Sequence, residues 1–244
     1  MPALFRRRQV WLPTPWGVLV LTAAAAGLVA WLLRAANGFL ALDEPAVLPD
    51  GRPAPVLVIE GWLGEDELAQ AAVIFRRGGY RRAITSGGPI ESFATFPSFA
   101  ERAADFLRRH GLAGLPLDAV PAPKTAQDRT FASAVWVRDW AADRGVAMEA
   151  FDVVSSSVHA RRTRLLYRMA FGPETRIGVL STSPASYDEQ RWWTSSPAFK
   201  DLFGEILGLA WTKCCFWPGR PGSHEERWAV PAPGAPAHRA QAPP

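Results

Sequence analysis

From Gln9 to Leu33 the chain carries no charge, and from Trp16 to Leu33 it is almost wholly Leu, Val, Ala and Gly, with Trp near each end. About 20 such residues span a bilayer as a helix. Being apolar all round, that helix has no face to offer water. The pattern predicts a transmembrane helix over residues 16–34, entered through Pro13 and Pro15. The stretch 35–55 then holds Pro45, Pro49, Gly51, Pro53 and Pro55. Those residues punctuate regular structure, so a linker is expected there.

Beyond the linker, short apolar runs alternate with helically spaced ones. Val56–Ile59 reads as a buried strand, and Leu68, Ala71, Ala72, Ile74 and Phe75 as one helix face behind the acidic start Glu65-Asp66-Glu67, closed by Gly78-Gly79. Ala83–Thr85 is the next strand, with Ser86-Gly87-Gly88-Pro89 as its turn. A helix over about 98–110 follows, with Phe99, Ala103, Phe106 and Leu107 on one face. Leu117–Val120 is a third strand, and the loop Pro121–Thr130 leads into a helix ending near Gly145. Met148–Val154 is a strand, Ser155–Ser157 its polar turn, and Val158, Leu165, Leu166 and Met169 mark the next helix. Arg176–Leu180 is a strand with the turn Ser181-Thr182-Ser183-Pro184, and Phe199–Trp217 a terminal helix. Residues 218–244, rich in Pro, Gly and Ala, read as a disordered tail. Strands alternating with longer helices predict an α/β domain over residues 56–217, with a mostly parallel sheet in three layers.

Charge changes this picture chiefly at the membrane. Arg6-Arg7-Arg8 precede the apolar run and only Arg34 closely follows it. The excess of basic residues predicts residues 1–15 in the cytoplasm and the α/β domain outside the cytoplasmic membrane. A cleaved signal peptide is the competing reading, with Ala23–Ala26 as small residues for cleavage, although the apolar core before them is short. The net charge is +4. Nucleic acid is not the expected partner, because zinc spacing, a lysine-rich tail and a basic helix interleaved with aromatics are all missing. No metal-ligand spacing occurs among the 4 histidines and 2 cysteines. Cys214 and Cys215 are adjacent, which sets them against an ordinary disulfide with its Cα separation of ~4.4–6.8 Å.

In such a sheet the strand-to-helix turns gather at the carboxyl edge, where ligands bind. The turn after the strand Met148–Val154, with the helix start behind it, carries Ser155, Ser156, Ser157, His159, Arg161 and Arg162. A helix start favours anions, and guanidinium forks match phosphate. Basic residues are unfavourable there unless something recruits them, so an anion site stands beside the blander reading of a capped helix with a solvated first turn. Gly87 and Gly88 let backbone approach a ligand or simply make a tight turn. Ser-Gly-Gly is neither a phosphate-binding Gly-Lys-Ser/Thr loop nor a dinucleotide fingerprint. Asp128-Arg129-Thr130 offers a carboxylate, a guanidinium and a hydroxyl at a helix start, or an N-cap with an exposed Arg. Asp128 is a candidate partner for His159, fixing its tautomer. Glu101 is a second candidate acid, or a surface residue. Tyr187–Trp193 is a candidate lid or membrane-facing rim, or surface packing.

Taken in order, Gly61 after an apolar strand, Ser86-Gly87-Gly88, Glu101, Asp128–Ala134 and the His-x-Arg-Arg of Ser156–Arg162 resemble the YdcF/SanA/ElyC family over about residues 56–211. The resemblance implies a Rossmann-like α/β domain, with an N-terminal anchor in envelope-associated members. It also implies a part in cell-envelope biogenesis, in peptidoglycan or polyprenyl-phosphate carrier metabolism. Glu60-Gly61-Trp62 stands where the family has a Gly-rich turn, and Asp128-Arg129-Thr130 where it has Asn-Thr-x-Glu-Asn. S-adenosylmethionine binding has been suggested for a cytoplasmic relative, and no cofactor is assigned to this chain. The expected site joins His159, Asp128 and Glu101 as proton-handling groups to Gly61, Ser86, Gly87, Gly88, Arg129, Thr130, Ser156, Arg161 and Arg162 around a lipid-phosphate or nucleotide-like ligand. A non-catalytic binding module and a partner of a membrane assembly are the alternatives.

Overall fold

The computed structural model describes residues 12–90, 95–125, 128–223 and 226. Arg6–Arg8, Ala126, Gln127 and most of the expected tail lie outside them. Five strands, β1 (Val56–Glu60), β2 (Arg82–Gly87), β3 (Leu117–Pro121), β4 (Ala150–Ser156) and β5 (Arg176–Thr182), form one parallel sheet in the order β3-β2-β1-β4-β5. The expected α/β class and three-layer parallel architecture are found. Six helices accompany the sheet: α1 (Pro15–Leu40), α2 (Glu65–Gly78), α3 (Phe99–Arg109), α4 (Arg129–Asp143), α5 (Ala160–Phe171) and α6 (Ser196–Cys214).

The period of two along β1 divides the interior. Val56 and Val58 pack with Ile84, Phe151 and Val153 beneath Phe131, Val135, Leu166 and Tyr167 of α4 and α5. Leu57 and Ile59 pack with Ala83 and Val154 beneath Leu68, Phe75, Ala103 and Leu107 of α2 and α3. A strand buried on both faces must be apolar at every position. That is why the run Val56–Ile59 was legible without any alternation.

A third apolar cluster lies beyond the sheet. It joins Leu40 of α1, Val158, Trp192, and Ala198, Leu202 and Leu209 of α6, with Leu33 and Leu165 against it. Here the structure departs from expectation. The helix expected over 16–34 continues to Leu40, because Leu33, Ala36, Asn37 and Leu40 turn one stripe toward the domain while its neighbours stay exposed. Tertiary packing of that stripe carries the helix past Arg34. An 18-residue window of α1 has mean hydropathy 2.1 and is 0% buried. It is the one helix among the described residues that is long and apolar enough to span a membrane.

The segment after α1, expected to be an irregular linker, lies along the outer edge of the sheet. Glu44 and Val179 exchange two backbone hydrogen bonds of 2.8 and 2.9 Å, covering the edge of β5. Arg164 grips Glu44 with both guanidinium nitrogens. Ala46 N–H donates to Asp152 Oδ1 at 2.6 Å, and the Tyr80 hydroxyl to Asp152 Oδ2 at 2.6 Å. An unpaired strand edge invites other chains, and covering it is a usual remedy. Two further corrections concern the C-terminal part. Cys214 and Cys215 are joined as a vicinal disulfide, with Cα atoms 3.8 Å apart, below the ordinary range on which the expectation rested. Of the expected tail, Glu226 is buried and accepts hydrogen bonds from Arg138 of α4 and from Gly222 N–H.

Gly178 of β5 permits this close approach. A Cβ there would lie 2.0 Å from Asp152 Oδ1 and 2.2 Å from Ala46 N. The obstacle is backbone and a buried carboxylate, neither of which can rotate away. Gly178→Ala is therefore expected to destabilise the protein by about 2–3 kcal/mol, read as a lowered denaturation midpoint of the detergent-solubilised chain. An unchanged midpoint would mean that the segment 43–47 does not lie on β5.

Candidate functional site

In the order β3-β2-β1-β4-β5 the winding direction reverses between β1 and β4, and the crevice beyond their carboxyl ends is where an open parallel sheet receives ligands. β1 ends there in Glu60 and β4 in Ser155-Ser156. Glu60 is an acid closing an otherwise apolar strand, and is 3% exposed. Ser155 Oγ donates to its Oε2 at 2.5 Å and Thr163 Oγ1 at 3.2 Å. Burial raises the Glu60 pKa despite these bonds and the charges of His159 and Arg162.

A 3-10 turn, Ser157–His159, links β4 to α5 and delivers the imidazole. Ser157 adopts φ +31°, a left-handed value. A non-glycine residue held there stores about 1 kcal/mol of strain, a feature that gathers at functional turns. The ring of His159 packs edge-on against Trp62, centroids 4.9 Å apart. Its Nδ1 lies 2.9 Å from Glu205 Oε1. Arg162 Nε and Nη2 grip the same carboxylate at 2.7 and 2.8 Å, and Arg162 Nη1 reaches Asp128 Oδ2 at 3.1 Å. Glu205 of α6 thus binds an imidazole and a guanidinium from the turn and helix after β4.

Titration follows this geometry. Burial opposes the charge of His159, but the hydrogen bond and charge of Glu205, helped by Glu60, outweigh it and raise the pKa. Burial likewise opposes the Glu205 carboxylate, and the bonds from His159 and Arg162 prevail, holding it at about 2. With Nδ1–H donated to Glu205, Nε2 is the ring nitrogen left for proton exchange. The arrangement presents a favoured imidazolium held by the Glu205 carboxylate: it can meet an anion or donate a proton.

The expected residues divide. Ser86 Oγ is bonded to the buried Tyr167 hydroxyl at 3.1 Å. Gly87 and Gly88 give their carbonyls to Ala122 and Phe99 N–H. Gly61 answers a close approach, since a Cβ would lie 2.4 Å from the Phe99 carbonyl oxygen. Ser156 is buried at the end of β4, while Arg129 is exposed and Thr130 half-buried at the start of α4. Asp128 caps α4 through Phe131 N–H and pairs with Arg162, whereas the carboxylate on His159 Nδ1 is Glu205. That corrects the expected Asp128–His159 pairing: α6 arrives over the turn from far along the chain and reaches the imidazole. Glu101 accepts from Ser98 Oγ at 2.6 Å at the start of α3, where an acid suits the helix dipole.

Arg161 is placed elsewhere than expected. Its Nε donates to the Phe39 carbonyl, and its guanidinium stacks 3.8 Å over the Phe39 ring. It serves the C-terminal turn of α1, whose carbonyls lack partners within the helix. The basic clustering that pointed to an anion therefore has two other recipients, the end of α1 and the pair Glu205–Asp128. Tyr187 is half-buried beside Ser157, Trp192 is buried and Trp193 is exposed. Glu205 and Thr163 were not singled out from the sequence, and Glu60 and Ser155 were read there only as turn residues. The available signal was an acid alone in an apolar stretch, which describes both Glu60 and Glu205. Two open clefts, of about 320 Å³ between α2 and α3 and about 270 Å³ against α4, lie away from this network.

Compared with known proteins, the sequence matches no family model and no curated protein. The functional reading rests on the geometry and on the residues themselves.

The ion pair sets a pH window. Glu205, lowered from 4.5 to about 2 on folding, contributes stability that is full above pH 4.5 and lost as pH falls toward 2. His159, raised above 6.5, contributes stability that is full below pH 6.5 and lost as pH rises through its folded value. Glu205→Gln should cost about 3 kcal/mol. The difference from wild type should be largest between pH 4.5 and 6.5 and shrink on either side, as read from denaturation curves across pH. A difference independent of pH would contradict the pairing.

Proposed function

We propose that this chain is a membrane-anchored cell-envelope protein whose α/β domain binds a phosphorylated ligand drawn from the membrane surface. The observation that carries the reading is the position of His159. It lies at the β1/β4 crossing, favours its charged form, and sits within one packed assembly with the end of α1. α1 spans the cytoplasmic membrane in this reading, with the N-terminus inside and the α/β domain outside. Arg129, exposed at the opening of α4, supplies a second positive charge from the neighbouring turn.

The resemblance to the YdcF/SanA/ElyC family supports the same class of ligand, a polyprenyl phosphate or a related peptidoglycan carrier. Its headgroup would enter the crevice from the bilayer while its chain stays in lipid. Tethering then serves binding directly, since site and ligand share one surface layer and meet at high effective concentration. In this reading His159 Nε2 meets the phosphate. Glu205 holds the imidazole and keeps it charged, and Glu60, its proton favoured by burial, is the second proton-bearing group of the crevice.

The test is thermal stability of the full chain in detergent with short polyprenyl phosphates, the matching phosphate-free alcohols, and nucleotides. At about 100 times its dissociation constant a ligand stabilises by about 2.7 kcal/mol, visible as a melting shift. The expected result is a shift with the polyprenyl phosphate alone, lost in His159→Gln and kept in Arg161→Ala, because Arg161 serves α1. A shift untouched by His159→Gln, or none with any phosphate, would overturn the reading.

A further inference from the structure

The α/β domain exposes large apolar side chains unevenly. All but Val47, Trp62 and Leu115 lie between Trp193 and Trp217, on and around α6. At 100° per residue the two sides of α6 separate cleanly. Ala198, Leu202, Glu205, Leu209 and Thr212 face inward. Phe199, Leu207, Ala210 and Trp211 face outward, Leu207 being 68% exposed. The exposed charges of the helix are Lys200 and Lys213, and none is acidic. A long apolar helix face left open to water is a contact surface.

What covers it follows from α1. Leu33, inside the apolar run of α1, belongs to the same cluster as Leu202 and Leu209 of α6. α6 therefore stands at the level of the last apolar turns of α1. A hydrocarbon layer of about 30 Å takes about 20 residues of helix. Starting at Trp16 it is used up near Ala35, and the helix ends at Leu40, only about 8 Å further on. The docked domain has no room to stand off, so the flank that carries α6 lies in the headgroup layer.

We propose that α6 is an interfacial helix, its Phe199–Leu207–Trp211 face sunk into the bilayer surface beside α1. The exposed Trp193 and Trp217 on either side of α6, with Trp211 on its face, suit that layer, where an indole keeps its ring in lipid and its N–H in water. Lys200 and Lys213 suit anionic headgroups. Seated this way, α6 holds the crevice with His159 at headgroup depth by its inner face and rests on lipid by its outer one. Glu205 faces the imidazole while Leu207, two residues on, faces the membrane. The inference rests on α1 as a membrane span, and its test separates the two.

The full chain, with Cys214→Ser and Cys215→Ser, is reconstituted into phosphatidylcholine–phosphatidylglycerol vesicles with a spin label at Leu207→Cys, Val29→Cys or Arg144→Cys. Collision with oxygen, which concentrates in lipid, and with a water-soluble nickel chelate reads the position of each label. The expected result is loss of nickel accessibility at 207, intermediate between full loss at 29 and none at 144. A label at 207 as open to nickel as that at 144, with 29 shielded, overturns the interfacial helix and leaves the anchor standing. A label at 29 open to nickel overturns the anchor and the inference together.

Discussion

One buried carboxylate holds the parts of this protein in relation to each other. Glu205 sits on the inward side of an apolar helix and accepts from both His159 and Arg162. Removing an acid from water is unfavourable, and it is tolerated here because two cationic groups and their hydrogen bonds compensate it. The consequence is positional. α6 is drawn over the turn that follows β4 and against α5, His159 is fixed in orientation, and the apolar cluster beneath α6 receives Leu40 of α1. Charge in the crevice and docking of α1 are therefore parts of one arrangement.

This arrangement joins the crevice to the route of the chain. α1 does not end in a flexible tether. Its last turn is fastened by Arg161 and Phe39, and the next residues run along β5, where Gly178 lets them lie close. A tether of coil would let the domain sample many orientations. A docked helix fixes which edge of the sheet lies beside it, and that edge is the one where the winding reverses. Strain at Ser157 and desolvation of Glu60 sit at the same edge, both tolerated because the surrounding packing over-determines them.

Much of the fold was legible in the sequence. Val56–Ile59, the helically spaced Leu68–Phe75 and the polar turns after each strand placed the parallel sheet correctly, because burial on both faces dictates composition directly. Helix and strand ends shifted by a few residues where tertiary contacts decide them: Ser155 and Ser156 belong to β4 rather than to the turn, since both are buried in pairing with β5. The site was legible in part. His159 and Arg162, from the turn and helix after β4, come together with Asp128 from the start of α4. Their connecting residue, Glu205, lies far along the chain in a helix that read as merely apolar, and no spacing rule reaches it. Arg161 looked like its neighbour Arg162, yet one helical step of about 100° turned it from the crevice to the anchor.

The protonation of His159 tests this account most directly. Isotope-labelled histidine in the full chain, solubilised in micelles and assigned with His159→Gln, gives the titration of each imidazole by NMR. The account predicts that His159 titrates above the ordinary 6.5. In Glu205→Gln, where burial is left without its counter-charge, the midpoint should fall by a clear margin. A His159 that titrates at or below the ordinary value, or one that Glu205→Gln does not move, would contradict it.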